Sequence, residues 1–129
     1  MRRIVVTGMG AVTPIAANVE ASWSRLLAGR SGIRRLPDDV VGDLPAKIGG
    51  VVPSLDDDSD TGFDPNTVFA PKDQRKVDRF ILFALAAADE ALAQANWKPT
   101  SETAMSVPPR LRYFISCSLL PLEPRYNNQ

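Results

Sequence analysis

The sequence predicts a single α/β domain, and three observations support this fold class. The chain has 129 residues, which suffices for one domain of ordinary size, and 44% of them are apolar, which allows a real core. A β-branched run from Ile4 to Val6 is ended by glycine, as expected for a buried strand. Later segments repeat apolar residues at three- and four-residue steps, which is typical of helices.

The N-terminal segment predicts a strand, a turn and a helix in that order. The strand is "RRIVVTG", and the turn "GMGAVTP" contains Pro14, which prevents an immediate helix. Asn18 can cap the helix "VEASWSRLLAG", and Gly29 follows as its C-cap. The apolar stripe of this helix consists of Ala21, Trp23, Leu26 and Leu27.

The middle of the chain predicts a second short strand and then an acidic loop. "LPAKIGGVV" resembles a strand that is weakened by its two glycines. The stretch from Pro53 to Pro65 is rich in aspartate and turn residues, so we expect a surface loop or a disordered insert. Four aspartates in five positions suggest calcium, but the glycine and the final glutamate of an EF-hand loop are missing. We therefore predict no metal site.

The longest predicted element is a helix from about Lys72 to Trp97, with Pro99 just beyond its end. Its first turns are polar, and the apolar repeat starts at Val77. The apolar positions then fill most of the circumference, so we expect neighbours on most sides and close approach at the alanines. The repeat consists of Val77, Phe80, Ile81, Ala84, Ala88, Ala91 and Leu92.

Composition excludes several kinds of chemistry. The chain contains no histidine, which excludes His-based acid–base catalysis, Ser-His-Asp triads and most zinc sites. Its one cysteine, Cys117, cannot form an internal disulfide, which fits a reducing compartment. The formal net charge is zero, and no apolar run resembles a signal peptide or a membrane span. We expect a cytoplasmic protein that binds neither nucleic acid nor membrane.

Gly8 and Gly10 follow the first predicted strand, as glycines do in dinucleotide-binding turns. The Rossmann pattern requires a third glycine three residues after Gly10, where Thr13 stands. Pro14 also prevents the helix that would receive the phosphates. We therefore predict a structural turn and no cofactor.

Three motifs in fixed order resemble the β-ketoacyl-[acyl-carrier-protein] synthases: "VVTGMGAVTP", "W..LLAG.SGI" and "QRK.DRF...A..AA.EAL". The resemblance covers Met1 to about Ala104. It implies a thiolase-like fold, in which two similar halves each carry a five-stranded mixed sheet among helices. Residues 1–104 would then be a partial N-terminal synthase domain, an incomplete first half that is incompletely ordered.

The resemblance also implies an activity. The family condenses an acyl chain, held as a thioester on cysteine, with malonyl-carrier protein, and two histidines assist. Cys117 lies outside the matched motifs, without the glycine turn or helix start of the family's nucleophile. We therefore expect no catalytic residue in this chain and no activity of the chain alone. The family's dimerisation strands lie later, so we expect no family-type homodimer.

Residues 105–129 form a tail that does not match the family motifs. Its one strand-like window runs from Leu111 to Leu120 and is flanked by prolines, and it can pair beside the first strand. A frameshift, a truncation and a foreign tail all remain open as its origin. We expect a marginal, aggregation-prone domain.

The predicted binding residues are Lys72, Arg75, Lys76 and Arg79. The resemblance places the first three where the family meets the acyl carrier protein, and Arg79 extends the same helical face. Clustered cations complement the acidic helix and the phosphate of that partner. A basic, solvated helix start without function remains open, as does a non-catalytic module that binds carrier protein or an intact synthase subunit.

Overall fold

The computed structural model describes residues 3–98 and residue 100, which form helices and one small antiparallel sheet. The elements in chain order are helix α1 (Val19–Leu27), strand β1 (Ile33–Arg35), helix α2 (Asp38–Val41), strand β2 (Ile48–Gly50), a 3-10 helix (Pro65–Thr67), helix α3 (Pro71–Gln74) and helix α4 (Arg79–Gln94). Both element types of the predicted α/β class are therefore present.

Helix α1 begins and ends where the sequence predicts. The side-chain oxygen of Asn18 accepts a hydrogen bond from the backbone N–H of Ala21 at 2.8 Å. Gly29 follows the C-cap with φ +70°, a left-handed conformation that glycine adopts without strain. The predicted apolar stripe is not buried, because Trp23 and Leu27 keep 59% and 70% of their surface exposed.

The predicted first strand is wrong for the described residues. Ile4, Val5 and Val6 form no strand and are 94%, 75% and 78% exposed. A strand requires a neighbouring backbone to receive its hydrogen bonds, and no described segment pairs with these residues.

The predicted second strand is confirmed as β2. It pairs antiparallel with β1, so that Ile33 lies opposite Gly50 and Arg35 lies opposite Ile48. Strand β1 is three residues long and contains two arginines, so it has none of the alternating pattern by which a strand is recognised.

The predicted long helix is wrong as one continuous element. The chain forms α3, leaves the helical path between Arg75 and Asp78, and begins again as α4. The reason is that the apolar repeat starts only at Val77, so no buried stripe holds the polar first turns in line with α4. The helix also ends before Trp97, because Asn96 takes a left-handed conformation with φ +49°.

The core of the described residues is small, and two of its five buried apolar side chains lie on α4. The buried apolar side chains are Ala16, Val41, Phe63, Leu82 and Leu85. Phe63 lies within the acidic loop and meets Phe83 of α4 edge to face, with ring centroids 4.9 Å apart. No helix within residues 3–98 has the length and apolar character needed to cross a membrane.

Candidate functional site

The four predicted binding residues lie at the junction of α3 and α4, and we call them the basic cluster. Lys72 belongs to α3, Arg75 is its C-cap, Lys76 lies in the following turn, and Arg79 begins α4. All four side chains are exposed. The residue spacing predicted that the cluster lies on one continuous helix. The structure shows instead that it spans the break between α3 and α4.

Local sequence explains the position of α3. Pro71 occupies the first helical turn, and it keeps Ala70 in an extended conformation with ψ 147°. The side-chain amide of Gln74 donates hydrogen bonds to Asn66 Oδ1 at 3.0 Å and to the Phe69 carbonyl at 2.8 Å. These contacts anchor α3 to the preceding 3-10 helix and leave its cations facing solvent.

The four cations differ in their own contacts. Lys76 Nζ lies 2.8 Å from Asp73 Oδ1, and the Arg79 guanidinium lies over the Phe83 ring at 5.3 Å from its centroid. The side chains of Lys72 and Arg75 have neither an ion pair nor a hydrogen bond among the described residues. Two members of the basic cluster are thus engaged within the protein, and two are available to an anionic partner.

The acidic loop is ordered and is tied to α1. Arg25 donates hydrogen bonds to the Asp58 carboxylate and, at 2.9 Å, to the Ile15 carbonyl. Asp58 also accepts from the Thr61 hydroxyl at 2.9 Å, and the Thr61 carbonyl accepts from Ala17 N–H. The prediction of a loop is confirmed, and the alternative of a disordered insert is wrong, because these contacts fix its path.

These contacts also set the charges of the loop. The hydrogen bond from Arg25 holds the pKa of Asp58 well below its usual range, and Thr61 adds to the effect. Hydrogen bonds from Ser54 lower the pKa of Asp57. No group of three or more metal-ligating side chains occurs in residues 3–98. Asp57 and Asp58 thus make contacts within the protein.

The two glycines near the N-terminus allow close contact with α4. A Cβ on Gly8 would lie 2.1 Å from the Ala91 carbonyl oxygen, and one on Gly10 would lie 1.7 Å from that of Ala87. The segment therefore lies directly on the alanine face of α4, and no side chain could fit at Gly8 or Gly10. The predicted turn is wrong for residues 8–13, which form no turn, and the glycines serve close packing.

Glu90 is a residue that sequence reasoning missed. Its carboxylate accepts hydrogen bonds from the backbone N–H groups of Ala11 at 3.0 Å and of Val19 at 2.8 Å. It thus joins the N-terminal segment, the start of α1 and α4. One turn later, Gln94 accepts from Met9 N–H. Two polar residues four positions apart in an alanine-rich helix were the available signal.

Comparisons with known proteins identify the family. The family model for the β-ketoacyl synthase N-terminal domain matches residues 1–118. The chain belongs to the β-ketoacyl synthase family.

Similar curated proteins carry related names. The chain is 50% identical over 102 residues to the 3-oxoacyl-[acyl-carrier-protein] synthase 2 of Rhizobium meliloti, a match that covers 79% of this chain and 24% of the relative. It is 36% identical over 106 residues to the synthase 2 of Vibrio cholerae, covering 82% and 24%. The mitochondrial synthase of Arabidopsis thaliana is 37% identical over 115 residues, covering 78% and 24%. The chain spans about a quarter of the length of these relatives.

Membership of the β-ketoacyl synthase family confirms the resemblance seen in the three motifs. It places the Gly8–Gly10 segment, the acidic loop and the basic cluster within one matched region. The match runs to residue 118, beyond the predicted boundary near Ala104, so that boundary stays a prediction. Cys117 and the window from Leu111 to Leu120 lie outside the described residues, and their predicted roles also stay predictions.

Proposed function

We propose that the chain is the N-terminal part of a cytoplasmic 3-oxoacyl-[acyl-carrier-protein] synthase, an acyltransferase of fatty acid biosynthesis. The names of its relatives and its family membership support this reading. The reaction is the decarboxylative condensation of an acyl thioester with malonyl-carrier protein. These 129 residues contain no histidine, so the two histidines of the reaction must come from elsewhere in such an enzyme.

We assign the basic cluster as the place where the acyl carrier protein docks. The observation that carries the assignment is the exposure of four cations within eight positions, two of them without a described partner. Carrier proteins present an acidic helix and a phosphopantetheine phosphate. Exposed guanidinium and ammonium groups complement both, and they accelerate encounter through long-range attraction.

Charge reversal of the available cations tests the docking site. We expect the double variant Lys72→Glu, Arg75→Glu to bind acyl carrier protein about tenfold more weakly or worse, because like charges then face each other. The matched control reverses Arg30 and Lys98, two exposed cations outside the cluster, and should change affinity by less than about twofold. Titration calorimetry at two salt concentrations measures both. Equal affinities for the two double variants would contradict the assignment.

The enzyme assignment makes a second prediction. The purified 129-residue chain, mixed with acyl- and malonyl-carrier proteins, should release no carbon dioxide above background. Its catalytic competence should require the remaining part of a synthase. Measurable condensation by the chain alone would show that the chemistry does not require the histidines implied by the resemblance.

A non-catalytic interaction module is the second candidate. The exposed apolar side chains of Ile4–Val6, together with Trp23 and Leu27 on α1, favour it because they provide surface that another subunit can cover. Under this alternative the chain forms a stable complex with an intact synthase subunit in size-exclusion chromatography. Under the first candidate the same surfaces are covered within one longer polypeptide, and no complex forms.

A further inference from the structure

We infer that Asp73 restrains the docking site by holding Lys76, so that Lys72 and Arg75 are the primary contacts of an acidic partner. The inference rests on the proposed function, because it concerns the strength of the same site. It goes beyond that function by assigning unequal roles to the four cations and a limiting role to a carboxylate.

The geometry separates the cations into two kinds. Asp73 Oδ1 lies 2.8 Å from Lys76 Nζ, three positions along the chain. The Asp73 side chain is only 24% exposed, whereas that of Lys76 is 65% exposed. The ammonium group is therefore the more solvent-accessible member of the pair.

An internal carboxylate competes with the carboxylates of a partner. Before Lys76 can contact an incoming anion, it must leave Asp73 or share its charge with both. Arg79 is held differently, since its guanidinium lies over Phe83, an aromatic contact that leaves its charge uncancelled.

The size of the effect follows from exposure. Ion pairs exposed to this degree contribute little free energy. Removing the competing charge should therefore change the affinity for the partner by about two- to fivefold. Such a difference suits a site that must release its partner after each use, because a modest restraint shortens the complex lifetime. Replacing Asp73 by asparagine keeps the shape of the side chain and removes the charge.

A double-mutant cycle tests the inference on the full 129-residue chain. The proteins are the natural chain, Asp73→Asn, Lys76→Met and the variant with both changes, each titrated with acyl carrier protein. We expect Asp73→Asn to tighten binding about two- to fivefold, and to have almost no effect once Lys76 is absent. Equal tightening in both backgrounds, or none in either, would overturn the inference.

The matched control is Asp89→Asn. Asp89 is exposed on α4, ten residues beyond Arg79 and so about 15 Å away along the helix axis. It removes the same charge from the protein without touching the basic cluster. Affinity should stay unchanged, which separates release of Lys76 from a change in net charge.

A readout that needs no carrier protein separates the two possible failures. In nitrogen-15-labelled chain, the ammonium signal of Lys76 should exchange with water more slowly than that of Lys72, and Asp73→Asn should remove the difference. If the signals respond in this way and the carrier protein does not bind, the proposed function fails and the Asp73–Lys76 restraint stands. If the two ammonium groups exchange alike in the natural chain, the restraint itself is wrong.

Discussion

Two adjacent segments near the N-terminus contrast in a way that hydrophobicity does not explain. Ile4–Val6 is the more apolar, yet its side chains are 75% to 94% exposed. Gly8–Ala11 contains two glycines and an alanine, yet it lies against α4 and is held by Glu90 and Gln94. The difference is that one segment has its partner within the described residues, and the other has none.

The contrast shows what orders this chain. Apolar residues stabilise a fold only when another surface covers them, whereas glycines let the backbone approach a helix closely enough to donate hydrogen bonds to its side chains. The anchored region reaches further, because Glu90 also binds the first N–H of α1 and Arg25 of α1 binds the acidic loop. The anchored part is therefore a connected unit that includes α1, the acidic loop and α4.

The largest effect should come from adding a side chain at Gly10, where the backbone contacts α4. In Gly10→Ala the new Cβ would meet the Ala87 carbonyl oxygen at 1.7 Å, so either the N-terminal segment or the helix must move. We expect a loss of about 3 kcal/mol of unfolding free energy, typical of overpacking against an element that cannot yield. Urea denaturation followed by circular dichroism measures the change.

The matched control for this prediction is Gly29→Asn. Gly29 has φ +70° with no atom within 4 Å of an added Cβ, and asparagine tolerates that backbone conformation. We expect a cost below about 1 kcal/mol. Similar losses at both positions would mean that close contact with α4 does not distinguish the anchored segment.

The next largest effect should come from Glu90→Gln. Glutamine offers one acceptor oxygen, whereas Glu90 serves the N–H groups of both Ala11 and Val19. One of these donors then loses its partner, which costs about 1–3 kcal/mol. The neighbouring exposed Asp89→Asn is the control and should leave the denaturation midpoint unchanged. Equal midpoints for the two variants would remove Glu90 from the anchor.

Sequence alone predicts the local features of this region better than its connections. Asn18 and Gly29 mark the ends of α1 by interactions that act within a few residues, so both ends could be predicted from the sequence. The partnership of Glu90 with Ala11 joins residues 79 positions apart, and no local pattern reports it. The break between Arg75 and Arg79 in the basic cluster could not be predicted, because residue spacing alone assumes a continuous helix.

Acid should weaken the acidic loop in a defined window. The folded-state pKa of Asp58 is lowered by its hydrogen bond from Arg25, so its contribution to stability is present above the ordinary value of 3.8 and is lost as pH falls through and below it. At pH values below about 4, the denaturation midpoint should therefore decrease. Asp58→Asn and Arg25→Met should each flatten this fall. Slopes identical to that of the natural chain would show that the pair does not link the loop to α1.

The smallest effect should come from the uncovered segment. Val5→Thr replaces a methyl group by a hydroxyl at a side chain that is 75% exposed, so we expect a change within about 0.5 kcal/mol and less aggregation. The same substitution at Val41, which is 5% exposed, should cost about 1–3 kcal/mol, because its hydroxyl would be buried without a partner. Equal costs at the two positions would mean that another surface covers Val5 in solution. Residues 4–6 would then belong to the anchored region. The presence or absence of a packing partner would no longer explain the difference between residues 4–6 and Gly8–Ala11.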